Sequence, residues 1–284
     1  MVRLRSTEQP DAAVLSTIDG LDNSAGALAF ASDGRTLAVS DTNDHLDGRV
    51  TPTVKLYDLA DRTHPHRIAV LPGKVFRLAF SSDHHLLAGG GADSLQLWDT
   101  TDPRHPTVLP PKPLTAGALV SEPAFSPDGH LLAVSDSTGA TRLWEVTGDR
   151  LGDADPVVVQ APGTGPGISF SPDGRTLAMT GTGDSFAAVG PRYPHIELWD
   201  VGNWRVPTLQ AVVAAGPTSG VRTSEIAVSA DGKLLATVGA TVDIWSTDQP
   251  ATLETICESV GDTITDEQWQ RYVPGGTPYR KPCP

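Results

Sequence analysis

Residues 124–145 read AFSPDGHLLAVSDSTGATRLWE and contain the pattern that decides the fold. Apolar residues lead into a turn at 126–129, and a second apolar run covers 131–134. Proline at the second position of the turn presets φ, and Gly129 at its fourth position accepts a positive φ. A third run ends in Leu-Trp-Glu at 143–145. The stretch therefore predicts three consecutive antiparallel strands.

The same pattern recurs along the chain. Each copy has an aspartate in its first turn, and these are Asp33, Asp83, Asp128, Asp173 and Asp231. An aromatic residue closes each copy, and these structural aromatics are Tyr57, Trp98, Trp144, Trp199 and Trp245. Successive closing aromatics lie 41, 46, 55 and 46 residues apart. Repeats of this length are typical of the blades of a β-propeller.

The closing aromatics also carry a family resemblance. Trp98-Asp99 and Trp199-Asp200 match the dipeptide that names the WD40 repeat. Degenerate forms of the dipeptide occur at Tyr57-Asp58, Trp144-Glu145 and Trp245-Ser246. The chain resembles WD40 repeat proteins of the bacterial, actinobacterial type over roughly residues 2–250. The resemblance implies an all-β propeller with about five recognisable blades.

Some features of the family are missing from the sequence. No Gly-His pair opens a repeat, and the family's buried aspartate has plausible counterparts only at Asp93 and Asp136. We therefore expect the blades to depend more on aliphatic and aromatic packing. Phenylalanines at matched positions would contribute to that packing, and these are Phe30, Phe80, Phe125 and Phe170.

The first residues predict an incomplete propeller. Residues 2–10 align with 242–250, so 2–18 resemble the last two strands of a preceding blade. We favour an incomplete ring over a closed ring of five or six blades, and an open ring would allow self-association. A third possibility is that the chain is the C-terminal part of a larger WD40 signalling protein linked to an ATPase or a kinase.

The pattern changes near residue 250, which predicts a propeller over 1–249 and a short helical tail over 250–284. Apolar residues at helical spacing predict a first helix in the tail, and these are Leu253, Ile256, Cys257 and Val260. A capping box at 265–268 predicts a second helix. We expect the tail to pack against the side of the propeller. Two cysteines confined to the tail permit a disulfide between Cys257 and Cys283, and in a reducing compartment both would stay thiols.

Composition argues against several classes of function. The net charge is -13, and no basic stripe is available to neutralise phosphates, so nucleic acid and anionic membranes are not expected partners. The sequence has no apolar run long enough to span a membrane and no signal peptide at its start, which predicts a cytoplasmic protein. Histidines at 64, 66, 84 and 85 come without further ligands, so no metal and no cofactor is expected. No catalytic residues stand out, so we expect no enzymatic activity.

Two links between the second and third strands are unusually long, at about 40–52 and 180–195. Because all blades of a propeller share one orientation about the axis, both insertions should rise from one face. The residues predicted to form an interaction face there are Asp44, His45, Asp47, Phe186, Arg192 and Tyr193.

The sequence therefore favours a non-catalytic module that presents one face to a protein or peptide, as a scaffold or as a regulatory or sensor unit. The alternative is a propeller hydrolase of the lactonase kind, which would need carboxylates or histidines from several blades converging at the axis. The sequence shows no such set.

Overall fold

The alternating apolar runs fold into β-strands in the computed structural model. The structure describes residues 1–6, 14–19, 25–41, 52–83, 85–92, 94–114, 117–160, 167–182, 194–214, 225–238 and 242–246. Every named element in these ranges is a strand, and none of the ranges holds a helix able to cross a membrane. The all-β prediction is confirmed. The predicted tail at 250–284, with Cys257 and Cys283, lies outside the described residues.

The first strands form a hairpin and a four-stranded sheet. The hairpin pairs β1 (Val2–Leu4) with β2 (Ser16–Ile18) in antiparallel fashion. The first sheet runs from its inner to its outer strand through β3 (Ala25–Phe30), β4 (Thr36–Asp41), β5 (Thr53–Asp58) and β6 (His66–Pro72).

The next two sheets repeat this order. The second sheet consists of β7 (Arg77–Phe80), β8 (Leu86–Gly90), β9 (Ser94–Asp99) and β10 (Thr107–Pro113). The third sheet consists of β11 (Val120–Phe125), β12 (Leu131–Asp136), β13 (Ala140–Thr147), β14 (Arg150–Leu151) and β15 (Val157–Gln160). In the third sheet both β14 and β15 pair with β13, β14 near its end and β15 near its start.

The last two sheets complete the described fold. The fourth sheet consists of β16 (Ile168–Phe170), β17 (Thr176–Thr182), β18 (Pro194–Asp200) and β19 (Thr208–Ala214). The fifth sheet has three described strands, β20 (Glu225–Val228), β21 (Leu234–Val238) and β22 (Val242–Ser246).

Four of the five first turns are held by a serine and the aspartate that predicted the turn. Gly129 has a φ of 75°, and its N–H donates to the Ser126 carbonyl at 2.9 Å. The Ser126 hydroxyl donates to Asp128 at 2.5 Å and accepts from the Leu131 N–H at 2.9 Å. The same serine–aspartate contact occurs at Ser81–Asp83, Ser171–Asp173 and Ser229–Asp231. The turn therefore returns the chain by local hydrogen bonds in four of the sheets.

The sheets stack side by side through their inner strands. Contacts join β3 to β7, β7 to β11, β11 to β16, and β16 to β20. The core is therefore divided into layers between neighbouring sheets, such as the layer that joins Leu132 and Trp144 of the third sheet to Leu86 and Leu97 of the second. This arrangement is that of propeller blades.

Two glycines of β8 allow close packing, Gly90 against the third sheet and Gly89 against the tryptophan of its own sheet. A Cβ on Gly90 would lie 2.3 Å from a methyl carbon of Val120, and a Cβ on Gly89 would lie 2.7 Å from the Trp98 ring. A methyl group has no room at either position, so a side chain larger than hydrogen does not fit there.

The hairpin covers only part of the first sheet. Val2 and Ile18 pack with Leu37, Val39 and Tyr57, which are all buried. This is the place that the outer half of a preceding blade would occupy, in keeping with the predicted likeness of residues 2–18 to such a half.

The inner strand of the first sheet departs from the expected aromatic packing. Phe30 is 56% exposed, whereas Phe170 at the matched position of the fourth sheet is 8% exposed. Phe170 has the third sheet beside it, whereas the hairpin packs on the two middle strands of the first sheet, β4 and β5, and leaves Phe30 uncovered. The expectation that all four matched phenylalanines contribute core packing is therefore wrong for Phe30.

Candidate interaction face at the strand links

The two long links start and end at the same point of their sheets. Asp41 at the end of β4 pairs with Thr53 at the start of β5, and Thr182 pairs with Pro194 in the fourth sheet. The matching pairs elsewhere are Gly90–Leu95, Ser135–Thr141 and Val238–Val242. These five pairs mark one end of the propeller, which we call the link face.

The residues predicted to form the interaction face are on the long links themselves. Asp44, His45 and Asp47, together with Phe186, Arg192 and Tyr193, lie outside the described residues. The structure describes the strand ends from which these links extend, and it shows what supports them.

A buried ion pair lies beneath the link of the first sheet. The Lys55 ammonium donates to the Asp41 carboxylate at 2.6 Å, and the two side chains are 7% and 3% exposed. Removing one partner of such a pair is strongly destabilising, because the other charge stays buried and unpaired. The pair therefore ties the second strand to the third beside the point where the long link begins.

The third sheet has a comparable pair. The Asp136 carboxylate is fully buried and accepts hydrogen bonds from Arg142, from the Thr138 hydroxyl and from the Thr138 N–H. Burial disfavours the charged form of Asp136, but the hydrogen bonds from Thr138 and Arg142 outweigh it and hold the pKa of this carboxyl below its usual range.

In the fourth sheet a histidine and a glutamate occupy the same region. His195 and Glu197 are both buried, with Nε2 of His195 3.3 Å from Oε1 of Glu197. The Trp199 indole donates to the other carboxylate oxygen of Glu197 at 2.9 Å. Glu197 therefore connects His195, at the start of β18 where the second long link ends, to the closing tryptophan of the sheet.

These pairs follow one rule of position. Lys55, Arg142 and Glu197 each lie two residues before the closing aromatic of their sheet. We expected family-type buried aspartates only at Asp93 and Asp136, and that expectation missed Asp41. Asp93 lies outside the described residues. The shared sequence Leu-Ala-Val-Ser-Asp, at 37–41 and 132–136, was the signal that would have found Asp41.

The closing aromatics are not equally enclosed. Trp98 is fully buried, Trp144 is 3% exposed and Tyr57 is 6% exposed, whereas Trp199 and Trp245 are half-buried. The indole N–H of Trp98 has no hydrogen-bond partner among the described residues. The indole N–H of Trp245 donates to the Thr237 hydroxyl at 3.3 Å.

Charged residues from three inner strands also lie on the link face. Arg77, Glu122 and Glu225 pair with the last or penultimate residues of the second strands in their sheets, and we call them the inner rim. The Arg77 guanidinium is 3.5 Å from the Glu122 carboxylate. Burial raises the pKa of Glu122, the Glu225 charge raises it further, and Arg77 opposes both effects.

The opposite end of the propeller has a different chemistry. A cleft of about 400 Å³ between the fourth and fifth sheets is lined by residues that include Asp173 and Asp231. Both carboxylates already accept hydrogen bonds from a serine and from a backbone N–H of their own turn. Over the described ranges, no group of three or more histidine, cysteine, aspartate or glutamate side chains is placed to hold a metal ion.

The histidines considered as ligands are placed at the surface where they are described. His64 and His66 are exposed, and His64 contacts Asp61 at 3.0 Å. His85 lies near the first turn of the second sheet, 3.7 Å from Asp83. His84 lies outside the described residues.

Comparison with known proteins supports the repeat assignment. Residues 65–99 match the family model described as WD40: WD domain, G-beta repeat. The chain is similar to two proteins named Protein LST8 homolog. The one from Drosophila melanogaster is 26% identical over 51% of this chain and 44% of the relative. The one from Drosophila pseudoobscura pseudoobscura is 23% identical over 72% of this chain and 61% of the relative.

Solved structures share the fold. A chain of the mitotic checkpoint complex superimposes with a TM-score of 0.63 at 21% identity, over 83% of this chain and 65% of that chain. The periplasmic gluconolactonase of Pseudomonas aeruginosa superimposes with a TM-score of 0.65 at 20% identity, over 85% of this chain and 73% of that chain.

The chain spans about half the length of the curated relatives that it matches, 44% of one and 61% of the other. The matched repeat, the LST8 relatives and the recurring four-stranded sheets together support a WD40 repeat protein with a β-propeller fold.

Proposed function

We propose that this protein is a non-catalytic scaffold that binds a protein or peptide partner on its link face. The observation that carries the proposal is the position of the two long links. Both links join the end of the second strand to the start of the third strand of their sheet, at the pairs Asp41–Thr53 and Thr182–Pro194. Loops held on a rigid framework are the usual place for binding residues.

The framework beneath these links favours a rigid binding face. The Lys55–Asp41 pair and the His195–Glu197 pair lie within a few residues of the points where the two links join their strands. Such contacts keep the link ends in place when a partner binds, so little ordering free energy is lost at those ends.

The charges on this face favour a partner of mixed charge. The inner rim contributes two carboxylates and one guanidinium, and the chain as a whole has a net charge of -13. The predicted link residues add acidic groups on one side and Phe186, Arg192 and Tyr193 on the other. A segment that carries both basic and acidic side chains complements this distribution better than an anionic polymer does.

The test compares two triple changes in the long links with a control at the opposite end. Phe186, Arg192 and Tyr193 are changed together to Ala in one variant, and Asp44, His45 and Asp47 in a second. Changing His84 and His85 to Ala provides the control. Each purified protein is used to capture partners, which are identified and quantified by mass spectrometry.

We expect the first variant to lose about tenfold or more of the captured partner, because aromatic and arginine side chains supply most of the binding energy in many interfaces. The thermal midpoint should stay nearly unchanged in all variants. Normal capture by both link variants, with loss in the His84 and His85 control, would place binding at the opposite end and overturn the proposal.

The enzymatic alternative is tested separately, since a gluconolactonase shares the fold. Hydrolysis of an aldonolactone is followed with and without added calcium or zinc. We expect no turnover above the uncatalysed rate. Metal-dependent turnover would contradict the non-catalytic part of the proposal and leave the binding face to be judged by the capture experiment.

A further inference from the structure

The fifth sheet has one covered face and one exposed face. Leu235 and Trp245 pack with residues of the fourth sheet. The other side is formed by pairs of residues that lie opposite each other on β21 and β22. These pairs include Ala236 with Ile244 and Val238 with Val242. We call this side the free face, and it consists of Leu234, Ala236, Val238, Val242 and Ile244.

The free face is apolar and open to solvent. Leu234 is 46% exposed, Val238 38%, Val242 65% and Ile244 69%. Scattered exposed apolar residues are ordinary, but contiguous ones on a single sheet face mark a surface that is covered by something else.

The same positions in the third sheet form an interior layer. Leu131, Ala133 and Leu143 occupy them there, and all three are buried against the fourth sheet. The free face therefore has the composition of a layer between sheets. Within the described part of the chain, no element packs against it.

We propose that the chain's own C-terminal segment, residues 250–260, docks on the free face. The described chain ends at Ser246, the last residue of β22, which carries Val242 and Ile244. The residues that follow include an apolar stripe at helical spacing, which needs an apolar surface to cover it, and the stripe is Leu253, Ile256, Cys257 and Val260.

The distances along the chain suit this docking. Leu253 comes seven residues after Ser246, and an extended chain over seven residue steps reaches about 23 Å. A five-residue strand such as β21 is about 17 Å long, so the segment can return over the whole free face. Tethering gives the segment an effective concentration in the millimolar range, which favours it over a separate molecule.

Charge argues against a second copy on the same surface. Glu225 shares the free face, because it pairs with Val238. Two copies meeting face to face would bring their Glu225 carboxylates into one interface, and each copy has a net charge of -13. Like charges in such an arrangement oppose association of two copies. Residues 250–260 also carry acidic groups, Glu254 and Glu258, so their preference for this surface comes from the apolar stripe and the tether.

The native Cys257 provides a direct test. In a Cys283→Ser background, Ile244→Cys places a thiol on the free face, and Asp243→Cys places one on the opposite face of the same strand. The full-length variants are oxidised mildly, and disulfides are mapped by mass spectrometry. Circular dichroism and the thermal midpoint establish that both variants are folded, and Val242→Cys serves as a second probe of the free face.

We expect a disulfide between residues 244 and 257 to form about tenfold faster than one between 243 and 257, because a disulfide requires the two Cα atoms to lie within roughly 7 Å. Equal rates for the two faces would overturn the proposal. A 244–244 disulfide between two molecules would also overturn it and would assign the surface to a second copy.

Discussion

The third and fifth sheets carry the same kind of apolar face in different surroundings. Leu131 and Leu143 of the third sheet are 6% and 0% exposed, whereas Leu234 and Ile244 at the matching positions of the fifth are 46% and 69% exposed. The residue types and the register are alike. The fourth sheet covers this face of the third sheet, and no described element covers the matching face of the fifth sheet. Burial in this fold is therefore set by the neighbouring sheet.

The comparison predicts a gradient of stability along the propeller. Fully burying a large aliphatic side chain stabilises a protein by about 1.5–3 kcal/mol. Proteins built from stacked repeats gain much of their stability at the interfaces between neighbours. The second, third and fourth sheets are covered on both sides, so they should resist unfolding longer than the fifth sheet.

The closing tryptophans should show the largest loss of stability on truncation. Trp98 is fully buried between two sheets, whereas Trp245 is half-buried. Trp98→Ala should lower the free energy of unfolding by about 3–5 kcal/mol, and Trp245→Ala by about half as much. Urea titration of both variants measures the difference. A loss below about 1 kcal/mol for Trp98→Ala would show that the layer between the first and second sheets contributes little.

Two matched aliphatic residues test the same comparison with smaller side chains. Leu143→Ala removes a side chain enclosed by the fourth sheet, and we expect a loss of about 2–5 kcal/mol. Ile244→Ala would cost about 1 kcal/mol or less if its side chain stayed uncovered, and nearly as much as Leu143→Ala if residues 250–260 dock on it as we propose. The same urea titration serves for both. Should the two losses prove equal, Ile244 is covered in solution, which is the result expected if residues 250–260 dock there.

Changes at the first turns should have the smallest effect on stability. This effect should be similar in the fourth and fifth sheets, because the hydrogen bonds to the turn aspartates are local. The Ser171 hydroxyl and the Arg175 N–H lower the pKa of Asp173, and the Ser229 hydroxyl and the Lys233 N–H lower the pKa of Asp231. A carboxyl whose pKa is lower in the folded state stabilises the protein above its unfolded pKa of 3.8. That stabilisation is lost as the pH falls through the folded pKa.

Ser171→Ala and Ser229→Ala are therefore expected to lower the thermal midpoint slightly at pH 7. As the pH falls through the folded-state pKa of the two aspartates, the part of this difference that comes from their charge should disappear. The part that comes from the lost hydrogen bonds between the serine hydroxyls and the N–H groups of Thr176 and Leu234 should remain. Thermal unfolding followed by circular dichroism over a pH series measures this. A much larger loss for Ser171→Ala than for Ser229→Ala would show that the turn depends on its neighbouring sheet.

The repeat itself could be predicted well because its signals are local. The turn at Ser126–Gly129 requires a particular φ and hydrogen bonds over a few residues, so its sequence is sufficient to identify it. The continuous apolar runs of the second strands likewise identified strands whose two faces are both buried, as at Leu131–Asp136.

The candidate site could be predicted only in outline. The unequal link lengths showed which sheets carry insertions, and the strand register then placed both links at one end. The ion pair between Lys55 and Asp41 was not foreseen, because it joins residues on opposite sides of a long link. Contacts of this kind depend on strand pairing across the insertion, which residue spacing does not show.

The sequence by itself determined the repeat, its turns and its closing aromatics, since each depends on interactions among residues close together in the chain. Only the tertiary structure decided which faces are covered. The hairpin buries Tyr57 but leaves Phe30 exposed, and the fourth sheet buries Leu143 whereas Ile244 faces solvent. The physical reason is that burial depends on a neighbouring element, and equivalent sequences acquire different environments when their neighbours differ.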